Sequence, residues 1–195
     1  MSAIRLIAVS MLLLLAAHVE AAPKLGAPAP DFTLMDISGK AVKLSDFRGK
    51  HIVLEWTNPN CPYVGKHYNS GNMQALQQTY ASKSVVWLTI SSTNPSHPEY
   101  ASETETAGWI AQKKAQPARV MLDKDGTVGR LYEARTTPHM FVIDTKGHLI
   151  FAGGIDDKRS WNPEDVKTAK NYVRAALDES LAGRPVSVAS ATPYG

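Results

Sequence analysis

Around residue 57 the hydrophobic period of this chain changes. In HIVLEWT, residues 51–57, Ile52, Leu54 and Trp56 alternate with Val53, Glu55 and Thr57, the two-residue period of a strand. Asn58–Pro59–Asn60 breaks the run, and Pro62 suits the first turn of a helix, where no backbone N–H is needed and φ is already helical. A central strand that runs straight into a helix calls for layers packed on one another, an α/β arrangement. The break also carries Cys61, the one cysteine among 195 residues.

The flanking segments extend this pattern. Asp31–Met35 and Ala41–Leu44 are short strand-like runs joined by a turn at Ser38–Gly39, an N-terminal β-hairpin. The helix from Pro62 is expected to pause at Asn69–Asn72 and resume over Met73–Tyr80. Ser84–Ile90 is a continuous apolar run, hence a buried strand. Pro98–Gln116 is read as a helix, Arg119–Asp123 as a strand, and His139–Asp144 with Leu149–Ile155 as a hairpin. Pro163–Leu181 is read as one helix with Val166, Ala169, Val173, Ala176 and Leu177 along one face. The expected fold class is α/β, a three-layer sandwich with a central mixed sheet and helices on both faces.

Arg5, an apolar run from Leu6 to Ala17 broken only by Ser10, and the small residues around Val19–Glu20–Ala21 have the layout of a secretory signal peptide. The run of about 12 residues is shorter than the about 20 needed to span a bilayer. Residues 1–21 are therefore expected to be cleaved near Ala21, leaving a periplasmic or secreted protein without stable membrane insertion. A domain over 22–183 and a loose Pro/Ser-rich tail over 184–195 complete the expected layout. The net charge of +3 at pH 7, with no Lys/Arg cluster, argues against nucleic-acid binding. A lone thiol in an oxidising compartment is either buried and inert or reacts with a second molecule.

Four phrases carry a family resemblance: GAPAPDFTLMDISGKAVKLSDFRGK, VLEWTNPNCPYV, LDKDGTVGRLYEARTTPHMFVIDTKG and GGIDD. Together they resemble the redoxin branch (AhpC/TSA type) of the thioredoxin superfamily, over nearly the whole chain beyond residue 21. The resemblance implies a thioredoxin-like fold and makes Cys61 the nucleophile. The residue physics agrees, since the N–H groups and dipole at a helix start favour an anionic sulfur. The resemblance further implies a cis Thr137–Pro138 bond that offers substrate a backbone edge. It also implies a buried carboxylate, Glu55, that relays protons; the alternative is a solvated strand residue. Trp56, Pro62, Tyr63, Thr137 and Pro138 are the expected substrate-binding residues, and no cofactor is implied.

The match is incomplete in instructive places. Val64 stands where a Cys-x-x-Cys motif has its second thiol, so release of a mixed disulfide by that route is impossible. Against the peroxiredoxin pattern, Asn58 holds the Thr/Ser position, Leu54 the first proline and Pro138 the arginine, with Arg135 nearby. Sequences similar to this one tend to place a further cysteine beyond a PYG, here residues 193–195, which leaves an intramolecular disulfide in doubt. Lys66 and His67 fall about 140° and 240° round the helix from Cys61 and do not stack over it; solvated or structural roles are expected. The expected function is an exported thiol-dependent oxidoreductase: Cys61 attacks a protein disulfide or peroxide, and an external thiol resolves the adduct. The alternatives are a non-catalytic module using the edge beside Pro138, or a copper chaperone with Cys61, His67 and His139 as ligands.

Overall fold

The computed structural model describes residues 23–195; the expected signal peptide lies outside the described residues, apart from which the chain forms one mixed α/β unit. Strands β1 (Thr33–Met35) and β2 (Ala41–Lys43) pair antiparallel as the expected hairpin. The main sheet contains β3 (Ile52–Trp56), β4 (Val86–Ser91), β5 (Arg119–Leu122), β6 (His139–Ile143), β7 (Leu149–Gly153) and β8 (Ser190–Ala191), in the order β5-β4-β3-β6-β7-β8. Strand β3 sits at its centre, parallel to β4 and antiparallel to β6.

The alternation in β3 sorts its side chains onto two cores. Val53 faces the helices α1 (Pro62–Asn69), α2 (Asn72–Ala81) and α5 (Tyr172–Leu181), packing with Val64, Met73, Leu76 and Leu177. Leu54 and Trp56 face the other way, onto Phe32, Leu44 and Val128, the last from the short helix α4 (Thr127–Leu131). All five β3 residues are buried, so this strand cannot move without disturbing both layers. Helix α3 (Glu103–Gln112) packs Trp109 against the first core.

Three expectations need correction. The helix expected from Pro98 begins at Glu103, because Ser102 and Glu105 form a capping box that satisfies the first free N–H groups there. The single helix expected over 163–181 is a 3₁₀ turn at Pro163–Lys167 followed by α5; Asn162 caps one and Asn171 the other. The tail expected to be loose from 184 is held in place. Its strand β8 extends the sheet parallel to β7, and Tyr194 is 7% exposed. Gly153 makes this approach possible: at φ 154° it is where a Cβ would lie 2.1 Å from the Ala191 carbonyl oxygen.

Candidate active site

Cys61 is the N-cap of α1, in extended conformation, with Pro62 at the first helical position. Its N–H donates to the Asn58 carbonyl at 3.1 Å, and its own carbonyl accepts from Gly65 N–H at 2.9 Å. The Cys61 backbone is thus gripped from the strand end on one side and the helix on the other. Its Sγ donates to the Thr137 carbonyl oxygen at 3.1 Å, and the Thr137–Pro138 bond is cis, as expected.

The half-buried thiol opens into a groove of about 410 Å³ whose walls include Trp56, Pro62, Tyr63, Arg135, Thr137 and Gly195. Trp56 is fixed from below: Nε1 donates to Ser92 Oγ at 2.9 Å, Ser92 donates to Asp123 at 2.5 Å, and the indole packs on Tyr132 and Phe141. Pro138 is buried beneath Thr137 and is not part of the lining. Tyr63 meets Trp161 edge-on at 5.9 Å and Tyr194 at 5.8 Å. Trp161, 65% exposed, makes an aromatic rim that sequence reasoning missed; its neighbours in KRSWNP carry no periodicity to mark it.

The Asn58 side chain is committed to the loop. Its amide donates to Thr93 Oγ1 at 3.1 Å and to the Glu99 carbonyl at 3.2 Å, and its oxygen accepts from Asn60 N–H at 2.8 Å. The Arg135 guanidinium is exposed and pairs with Glu133 at 3.4 Å. Val64 is fully buried in the helix-side core, so the position of a second thiol is filled by packing.

Glu55 proves to be buried rather than solvated. Tyr68 Oη donates to it at 2.8 Å, Trp87 Nε1 at 2.7 Å and Thr89 Oγ1 at 3.3 Å. Burial pushes its pKa up, against the pull of those donors. It does not line the groove; it ties α1 to β3 and β4.

With this geometry in hand, the matches to known proteins gain meaning. Residues 25–152 match the AhpC/TSA family. The chain belongs to that family. It is similar to the thiol-disulfide oxidoreductase ResA of Bacillus thuringiensis, 28% identical over 129 residues, 65% of this chain and 68% of the relative. An uncharacterized conserved protein from Geobacillus kaustophilus superposes with a TM-score of 0.74 at 25% identity, covering 87% of each chain. A hypothetical protein from Sinorhizobium meliloti 1021 superposes with a TM-score of 0.75 at 23% identity, covering 89% of this chain and 94% of its own, a likeness of fold.

This AhpC/TSA-family chain carries a second polar cluster one helical turn behind Cys61. Lys66 and His67, for which solvation was one of two expectations, are both fully buried. Lys66 Nζ lies 3.1 Å from Asp156 and donates to the Lys158 carbonyl at 2.5 Å and to Tyr194 Oη at 3.1 Å. Tyr194 Oη donates to Asp156. Asn72 donates to His67 Nδ1 at 2.9 Å, which puts the ring proton on Nε2, 3.3 Å from Tyr194 Oη. Burial, reinforced by Lys66, lowers the His67 pKa to about 4 against the pull of Asp156. His139 is likewise lowered to about 4, by burial and then Arg135. The ligand set Cys61, His67 and His139 is not assembled: among the described residues no three His, Cys, Asp or Glu side chains are grouped to hold a metal ion. No helix among the described residues is long and apolar enough to cross a membrane.

Proposed function

We propose that this protein is an exported thiol-disulfide oxidoreductase working with a single sulfur. The Cys61 thiolate attacks one sulfur of a disulfide R–S–S–R, forming Cys61–S–S–R and releasing R–S⁻; the Cys61 proton goes to solvent. An external thiol then attacks the adduct and frees Cys61, taking the role that Val64 cannot fill. The observation that carries this reading is the lone, half-buried thiol at the start of α1, opening into a groove beside the Thr137 carbonyl. Trp56, Pro62, Tyr63 and Thr137 bound the space in which the substrate sulfur sits. Pro138 acts by presenting Thr137, and Glu55 by holding α1 in place.

A disulfide is favoured over a peroxide because the Asn58 amide is already spent within its own loop, leaving it unable to polarise a peroxide bond. The test incubates the mature protein with hydroxyethyl disulfide, then reduced glutathione, and follows intact mass. A single mixed disulfide at Cys61 that glutathione removes is expected, with none in Cys61→Ser. Rapid peroxide consumption with no mixed disulfide would instead favour the antioxidant reading. Export is checked by N-terminal sequencing of the secreted product, expected to start beside Ala21.

A further inference from the structure

One wall of the groove is built by the far end of the chain. After β8 adds to the sheet edge, the backbone folds back along Gly154, where a Cβ would lie 2.9 Å from the Thr192 carbonyl oxygen. It then reaches Thr137: a Cβ on Gly195 would lie 2.2 Å from the Thr137 carbonyl oxygen and 2.8 Å from its nitrogen. The Gly195 backbone therefore packs closely against the backbone of Thr137, whose carbonyl oxygen also receives the Cys61 S–H. Sequence reasoning left this edge open for a substrate strand; the Gly195 backbone lies against it.

The cover is anchored. Tyr194 Oη enters the buried Lys66–Asp156 pair and meets His67, so lifting the segment strips a partner from a charge pair that water does not reach. An extended polypeptide seeking the Thr137 edge must first displace Gly195 and break that anchor. A small disulfide entering the 410 Å³ groove need do neither.

We propose that residues 192–195 are a specificity element: they close the Thr137 edge to extended polypeptide disulfides and reserve Cys61 for low-molecular-weight ones. The proposal rests on the oxidoreductase reading above and names its substrate class. Its chemistry is the same exchange, one S–S bond formed and one broken, with R–S⁻ as leaving group.

The test measures single-turnover mixed-disulfide formation at Cys61 with hydroxyethyl disulfide and with insulin. It compares the wild-type protein, Tyr194→Phe and a variant ending at Ala191, after circular dichroism has shown each to be folded. The insulin-to-small-disulfide rate ratio should rise about tenfold on removing 192–195 and about threefold in Tyr194→Phe, as expected for losing part of a barrier. A ratio that stays at the wild-type value in both variants overturns the proposal. If no disulfide reacts with any variant, the oxidoreductase reading is the one that fails. The cover is then read from alkylation of Cys61 by N-ethylmaleimide against a peptide-linked maleimide, and a ratio insensitive to the tail sinks it.

Discussion

At the scale of single residues, Glu55 and Val64 decide what surrounds Cys61. Val64 was visible in the sequence as a missing thiol, and its burial follows from lying three residues into α1, on the helix face turned to the core. For Glu55 the sequence left burial and solvation open, because the strand period puts it on a definite face without saying what covers that face. The covering donors come from Tyr68 on α1 and from Trp87 and Thr89 on β4, and no local pattern links them. Tyr68→Phe removes a donor to a buried carboxyl and should cost about 1–3 kcal/mol in urea unfolding. Glu55→Gln should shift the pH dependence. The folded carboxyl holds its proton above the ordinary value of 4.5, so the native state binds more protons than the unfolded one and its stability falls as pH rises from there. The variant lacks that slope. Relative to wild type it should look better at pH 8 than at pH 5, and equal differences at the two pH values would refute a raised carboxyl.

Among the elements, the strand-to-helix corner was legible because both halves are local: alternation up to Thr57, then proline at a helix start. The pause between α1 and α2 at Ser70–Gly71 was legible for the same reason, with Gly71 at φ 76°. The buried cluster on α1 was not. Its angular offset from Cys61 was readable, but the acid that lets Lys66 be buried lies 90 residues away. The tail escaped notice likewise, since two residues of β8 leave almost no period to detect. Asp156→Leu alone should destabilise by about 3–5 kcal/mol, leaving the buried Lys66 without its acidic partner. Pairing it with Lys66→Met should recover most of the loss, and a double-mutant cycle from denaturant melts measures the coupling. Additive losses would mean that the two side chains act independently. At the start of α3, Ser102→Ala should cost about 1 kcal/mol by breaking the capping box, read from the same melts.

For the molecule as a whole, two neutral histidines link folding to acidity. His67 and His139 have folded values of about 4, below the ordinary 6.5. Between those values the unfolded chain binds the extra protons, so each histidine's contribution is fully present above 6.5 and is lost as pH falls toward 4, by up to about 3 kcal/mol apiece. Glu55 slopes the other way above 4.5, so the clean readout is a difference: replacing His67 with Gln should flatten the acid side of the stability curve relative to wild type. An unchanged slope would count against a depressed His67. Fold class was legible at this scale because element order and period set the layers, whereas the contents of the groove depended on which distant segments met there. The same distance orders events in time. His67 and Tyr194, 127 residues apart in sequence, must meet before the groove has all its walls. Closing so long a loop is slow by comparison with forming local contacts. On the reading proposed above, a half-folded chain in which that loop is still open carries a Cys61 exposed to any disulfide, and selectivity arrives only when Tyr194 docks.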